Sequence, residues 1–278
     1  MSCVTIAIGI QKGGCGKTTT THSLGASLVR NHAKRVLLID LEPTGNLTLT
    51  CGLSVFRNHD CSACEVVSVD GTTLAHSTTY ELLTGTTNPL NLCVATSTPG
   101  LSLVPSDPLL SAADQILVGV GKEYRLRSRI ELLKPYFDFI LIDTPPSFGV
   151  LTINALTAAD YCLVPLDMGW FSLQGIGLLH QTLQDIRSFT NPNLVNLGFL
   201  CNRFNQNSLL TKQVLTQLPA FCEAMQTKIL STKIRKCDAI GKAQSAQQDI
   251  FAFAPRSNAS ADFLSLSSEV LKECSHVI

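Results

Sequence analysis

The sequence predicts an α/β protein, a three-layer, mostly parallel twisted sheet of about 7–8 strands with helices on both faces. Three observations predict it. Largely apolar runs recur at residues 4–10, 35–40, 137–143, 161–165 and 195–203, and their continuous rather than alternating character marks strands covered on both sides. Stretches with apolar residues at helical spacing separate them, as crossover helices between parallel strands require. The first run also opens through a glycine-rich turn into a helix, in Gln11-Lys12-Gly13-Gly14-Cys15-Gly16-Lys17-Thr18-Thr19-Thr20. At 278 residues and 45% hydrophobic, the chain can bury a large core, and a single domain over residues 1–278 suffices.

Taken in order, Val4-Thr5-Ile6-Ala7-Ile8-Gly9-Ile10 is the first strand, and Thr18 to Asn31 is a helix carrying Leu24, Leu28 and Val29 on one side. A strand, a glycine turn and a helix together aim backbone N–H groups and the positive end of the helix dipole at one point, where a phosphate fits. Gly13, Gly14 and Gly16 leave no Cβ between backbone and phosphate oxygens. Lys17 can reach the β- and γ-phosphates, and the Thr18 hydroxyl can hold Mg²⁺. The strand Arg35-Val36-Leu37-Leu38-Ile39-Asp40 ends in Asp40-Leu41-Glu42-Pro43-Thr44-Gly45-Asn46. Ligands collect at the carboxyl ends of strands in such sheets, so Asp40 and Glu42 are expected to face the phosphate loop.

Residues 51–91 are rich in Gly, Ser, Thr and Asn and read as loops with one helix near Thr79 to Thr84. Cys61-Ser62-Ala63-Cys64 within them is a C-x-x-C pair, open to packing, a weak redox role or half of a metal site. Leu101 to Pro105 is a short strand, and Ala112 to Leu133 a helical region with Lys122, Arg125, Arg127 and Arg129 on a solvated face. Phe137-Asp138-Phe139-Ile140-Leu141-Ile142-Asp143 then delivers a carboxylate to the metal's water shell beside Thr18. Tyr161 to Pro165 is another strand, followed by a helix through Ile186. Val195 to Arg203 brings Asn202 to the same edge, where its amide suits the edge of adenine or simply closes a turn. Ser260 to Lys272, with Phe263, Leu266, Val270 and Leu271 on one stripe, is a docked terminal helix.

Charge sharpens the reading. The chain holds 21 basic and 21 acidic residues, so any affinity for nucleic acid must come from a local patch. From Arg203 to Arg256 there are eight basic residues against three acidic, a net +5, and Arg203, Lys233, Arg235 and Lys236 are the expected contacts to a phosphate backbone. Aromatics do not alternate with these charges, so stacking on single-stranded bases is not indicated. The eleven cysteines are scattered through apolar segments and suit a reduced, cytoplasmic protein better than a disulfide scaffold. No run approaches the ~18 apolar residues of a membrane span, and the tail is not the basic amphipathic helix of a membrane anchor.

The loop departs from the ordinary phosphate loop, because position 11 is Gln and Lys12 stands at its front. In this it resembles the deviant Walker box of the ParA/MinD family of ATPases. The Asp40 segment, the Asp143-Thr144-Pro145-Pro146 segment, Asn202, and the stretches Thr232 to Arg235 and Phe251 to Ser257 are similar to that family too, most of all to its short Soj-like partition members. The resemblance implies ATP and Mg²⁺ as cofactors, with Lys12, Gly13, Gly14, Cys15, Gly16, Lys17, Thr18, Thr19 and Asn202 around the nucleotide. It implies that Lys12 crosses a homodimer interface to the partner's phosphates, and that Lys12, Lys17, Asp40 and Glu42 act in hydrolysis, with Glu42 positioning the attacking water. Glu42 stands where the family has Asp, and Thr44 where it has Gln, so slow turnover is expected. The expected partners are non-specific duplex DNA and a ParB-like or other cargo adaptor that stimulates hydrolysis, the cargo being a plasmid, a chromosome or a protein organelle, with a cytoplasmic, nucleoid-associated location. The alternatives are an ATP-holding scaffold with little turnover, a MinD-like membrane positioner, and an iron–sulfur carrier built on Cys61 and Cys64.

Overall fold

The computed structural model describes residues 3–9, 12–57, 64–68, 71–75, 78–169 and 173–274. β1 (Val4–Ile8) runs through the glycine loop into α1 (Lys17–His32), and β2 (Val36–Asp40) turns into the short α2 (Asn46–Thr50). β3 (Leu53–Arg57), β4 (Cys64–Ser68) and β5 (Thr73–Ala75) form a small antiparallel sheet of their own. α3 (Thr79–Thr84), β6 (Val94–Ala95), β7 (Leu101–Val104), α4 (Ala113–Ile116) and α5 (Arg125–Leu133) lead to β8 (Phe139–Asp143). The chain continues with α6 (Val150–Ala158), β9 (Tyr161–Asp167), α7 (Gln174–Phe189), β10 (Val195–Phe204) and α8 (Leu209–Ala224). β11 (Ile229–Arg235), α9 (Asp238–Ser245), α10 (Ile250–Phe253) and α11 (Asn258–Cys274) complete it.

Among the described residues the main sheet has eight strands in the order β11-β10-β9-β1-β8-β2-β7-β6, parallel throughout except for β6. Successive side chains of each strand point to opposite faces, and the sheet therefore divides the core in two. Leu37, Ile39, Ile140, Ile142 and Val164 pack under α5, α6, α7 and α8. Ile6, Ile8, Leu38, Leu141 and Leu163 pack under α1 and α11, against Leu24, Leu28, Phe263 and Val270. Double coverage explains why the strands carry unbroken apolar runs. In register, Ile8 and Asp40 both lie opposite Asp143, so the ends of β1, β2 and β8 meet at one edge.

Two segments differ from expectation. The region after Cys51 contains the three-stranded sheet as well as the expected helix at Thr79–Thr84; from the sheet Leu53, Cys64 and Val66 reach the core, and from the helix Leu82 and Leu83. The helical stretch after Ala112 is broken into α4 and α5 because Gly119 and Gly121 take left-handed φ of 91° and 77°. The outer edge of β11 is closed by side chains of α11. Glu269 accepts from the Ser231 and Thr232 N–H groups and Asp262 from that of Arg235, which leaves that edge poorly suited to pairing with another strand. Cys61 and the tail beyond Cys274 lie outside the described residues.

Candidate nucleotide site

The loop after β1 is shaped by its glycines. Gly16 adopts φ 91°, and a Cβ there would meet Asn202 Nδ2 at 2.6 Å. α1 starts at Lys17 with no side-chain cap and no acidic residue in its first turn, so its leading N–H groups and dipole are left for an anion. Above Gly13 and Gly14 an added Cβ would meet nothing within 4 Å. That open space is a cavity of about 740 Å³, lined by Gly13, Gly14, Lys17, Thr18, Glu42 and Thr144 among others. A second cavity of about 1010 Å³, bordered by Asn202, Asp167 and Lys236, adjoins it along Gly16, Thr19, Arg203, Gln244 and Ser245.

Carboxylates stand at the floor. Thr18 Oγ1 donates to Asp143 Oδ2 at 2.6 Å, while Asp143 Oδ1, fully buried, has no hydrogen-bond partner among the described residues. Burial raises the Asp143 carboxyl, and the neighbouring Asp40 charge raises it further, to about 8. Burial likewise raises Asp40 to about 7 against the pull of its Thr48 hydrogen bonds. Lys17 Nζ donates to the Lys12 carbonyl at 3.0 Å, and Lys12 Nζ lies 3.9 Å from Asp167 Oδ2 at the end of β9. A hydroxyl beside a carboxylate with a bare oxygen is a donor set that suits a small hard cation such as Mg²⁺, and an open N–H cradle suits the phosphates beside it.

A family profile described as an AAA domain matches residues 3–196. The chain is 32% identical over 266 residues to the sporulation initiation inhibitor protein Soj of Bacillus subtilis, covering 95% of this chain and 97% of that one. The chain belongs to the ParA/MinD family of ATPases. The chromosome partitioning protein ParA of Caulobacter vibrioides is 32% identical over 271 residues, covering 96% and 93%. Among solved structures, cobyrinic acid a,c-diamide synthase from Mycobacterium smegmatis, with ADP and magnesium bound, is 29% identical with a TM-score of 0.79 over 99% of this chain and 97% of that one. The apo McdA structure from Cyanothece is 24% identical with a TM-score of 0.80 over 96% and 99%, a likeness of fold.

For this ParA/MinD member the fold brings Lys12, Gly13, Gly14, Gly16, Lys17, Thr18, Glu42 and Asp143 to one end of the sheet, and five expected positions differ in detail. Asp40 does not face the loop. It is fully buried, accepting from the N–H and Oγ1 of Thr48 and from the Glu42 N–H, because the chain turns straight into α2 and its donors capture the carboxylate. Asn202 spends its donor on the Cys15 carbonyl at 2.9 Å and on Thr20 Oγ1 at 3.3 Å, so only its oxygen, unpartnered among the described residues, is left for a base. The thiol of Cys15 is buried, with Sγ 3.3 Å from the Lys12 carbonyl, and burial raises its pKa, so Cys15 can offer a ligand only its backbone N–H. Arg235 is forked onto Asp262 through Nε and Nη2, whereas Lys233 lies 5.2 Å from the Phe204 ring centroid, Lys236 is exposed, and Arg203 borders both cavities. The hydroxyl of expected Thr19 accepts from Gln244 Nε2 at 3.0 Å.

Sequence reasoning missed Asp167, although an acid ending a buried strand is the signal that picked out Asp40 and Asp143. Gln244 and Ser106 carry no local signal. Among the described residues no helix is long and apolar enough to cross a membrane.

Proposed function

We propose that this chain is a partition ATPase that works as a Mg²⁺-ATP switch. Two copies close face to face over two nucleotides, the closed dimer holds duplex DNA without sequence preference, and an adaptor on a cargo stimulates hydrolysis to reopen it. The observation that carries the reading is the uncapped, Cβ-free cradle of Gly13, Gly14 and Gly16 that opens into α1, where the Thr18 hydroxyl on the cavity wall is bonded to Asp143, whose second oxygen is bare among the described residues. In it, the loop N–H groups and Lys17 hold the phosphates, and Lys17 leaves the Lys12 carbonyl to do so. Thr18 and Asp143 would hold the magnesium, whose charge offsets that developing on the transferred phosphoryl group. Glu42, on the cavity wall, orients the attacking water, and Asn202 Oδ1 accepts from the base.

Lys12 completes the pocket of the other copy. Its ion pair with Asp167 is about a quarter exposed and long, so exchanging it for a phosphate of the partner's nucleotide costs little. A cation that arrives only on assembly acts as an arginine finger does, coupling hydrolysis to dimerisation. Lys233 and Lys236 on the β11 side, with Arg203, supply the DNA face. The test is light scattering with Mg²⁺ and a non-hydrolysable ATP analogue. Wild type should double in mass and Lys12→Ala remain a monomer at the same nucleotide occupancy. A Lys12→Ala protein that still pairs and hydrolyses removes the crossing lysine from the reading.

A further inference from the structure

We infer that Ser106, with Thr48, is a positioning residue that sets the catalytic carboxylate of Glu42; this rests on the role proposed above for Glu42. Glu42 follows β2 in a turn, where its carboxylate, one methylene longer than that of Asp, is touched by the Thr44 N–H at the long distance of 3.5 Å, so its place depends on how firmly its backbone is held. The backbone around it is fastened on both sides. Ser106 Oγ donates to the Glu42 carbonyl at 2.6 Å, and the Glu42 N–H donates to Asp40 Oδ1 at 3.2 Å. Gly45 N–H donates to the same Glu42 carbonyl at 2.9 Å, closing the turn.

The two fastenings are one network. Asp40 Oδ2 accepts from both the N–H and the hydroxyl of Thr48, and the Thr48 hydroxyl accepts from the Ser106 N–H at 3.0 Å. A closed path therefore runs from Glu42 through Asp40, Thr48 and Ser106 back to Glu42. Ser106 and Thr48 are almost wholly buried, where an unmade hydrogen bond is expensive and a made one is rigid. Farther out, Thr79 Oγ1 donates to the Asp40 carbonyl at 2.9 Å and to the Pro105 carbonyl, so the ends of β2 and β7 are laced to the start of α3. Asp40 thus serves the site through the backbone of Glu42 and not by touching the nucleotide. The reacting water is held only as well as Glu42 is held, and a displacement of about 1 Å there costs on the order of a hundredfold in rate.

The experiment measures Mg²⁺-ATP turnover of the full chain with duplex DNA present, for Ser106→Ala, Thr48→Ser, Thr48→Val, Glu42→Gln and the Ser106→Ala/Glu42→Gln double variant. The clamp predicts at least a tenfold lower kcat for Ser106→Ala and Thr48→Val at unchanged KM for ATP. It predicts near-wild-type kcat for Thr48→Ser, which keeps the hydroxyl, and no further loss when Ser106→Ala is added to Glu42→Gln. Turnover within twofold of wild type in Ser106→Ala, beside a Glu42→Gln protein that is inactive, overturns the clamp and leaves the Glu42 role standing. Equal losses from Ser106→Ala in both backgrounds also overturn it, since the hydroxyl would then act on the fold in general. Unchanged turnover in Glu42→Gln removes the Glu42 role itself, and the clamp with it.

Discussion

Replacing Asp143 by Asn should change how stability depends on pH. The side chain is fully buried beside Asp40, and its carboxyl is raised from 3.8 to about 8 by burial first and by the Asp40 charge second. For a raised carboxyl the fold prefers the protonated form, so between the ordinary aspartate range and the raised value the folded state holds a proton that the unfolded chain has released. Stability is then fully present at low pH and falls as pH rises through that window, by ~1.4 kcal/mol per pH unit for each such group. Asp40, raised to about 7, adds a second falling contribution. His22 opposes both: burial lowers it to about 4, so its contribution rises with pH up to about 6.5. Subtracting wild type from Asp143→Asn cancels the His22 contribution, and Asp40 keeps its own burial. Asparagine retains the volume and an acceptor for the Thr18 hydroxyl. The difference in unfolding free energy should therefore grow by ~1.4 kcal/mol per pH unit, reaching about 3 kcal/mol in favour of the variant between pH 5 and 7. The assay is urea unfolding of nucleotide-free protein in EDTA at pH 5, 6 and 7. Curves that stay parallel would refute a buried carboxyl titrating at this position. The same variant should lose the rise in Tm that Mg²⁺-ADP confers on wild type at pH 7.5.

Gly16→Ala should abolish nucleotide binding, because φ 91° strains any L-residue and the new Cβ would strike Asn202 Nδ2 at 2.6 Å; titration with a fluorescent ADP reads the loss, and Tm should fall by an amount matching ~1–2 kcal/mol. Asp249→Ala should lower unfolding free energy by about 3 kcal/mol, since Asp249 caps α10 through the Phe251 and Ala252 N–H groups and also accepts from Thr98 and Arg30. Burial pushes the Asp249 carboxyl up, but those hydrogen bonds outweigh it and hold it below 3.8, so its contribution is present above the ordinary aspartate range and lost as pH falls through the lowered value. A urea series from pH 2 to 5 in both proteins checks the sign. Lys236→Ala should weaken binding to all duplex sequences alike and reduce the salt slope by about 1, whereas Arg235→Ala, whose partner is Asp262, should lower Tm and change the slope less. Affinity titrations at several salt concentrations separate the two.

The parallel sheet was legible because each strand is covered twice. Runs such as Val36-Leu37-Leu38-Ile39 and Phe139-Ile140-Leu141-Ile142 have no solvent face, so their signal is strong and local. β3 and β4 were not, since few of their described side chains reach the core and polar residues such as Ser54 and Glu65 interrupt the apolar signal. α8 escaped notice for a related reason. Pro219 lies inside it, and its buried stripe is only Thr211, Val214, Leu218 and Cys222. In the site, the glycines, Lys17, Thr18 and Asp143 declared themselves because their roles follow from backbone freedom, charge and position at a strand end. Asp40 carries the same signal as Asp143, yet its carboxylate is taken by Thr48 eight residues on.

By itself the sequence determined the layered sheet, the phosphate-type loop after its first strand, and the carboxylates that end its neighbours, since all depend on patterns shorter than about twenty residues. Only the tertiary structure decided which of those carboxylates keeps a bare oxygen, which cation is already paired, and that Ser106 fastens Glu42. Those outcomes depend on which polar groups meet across 20 to 200 residues of chain once water is excluded, and a buried donor takes the nearest acceptor the packing offers, wherever it lies in sequence.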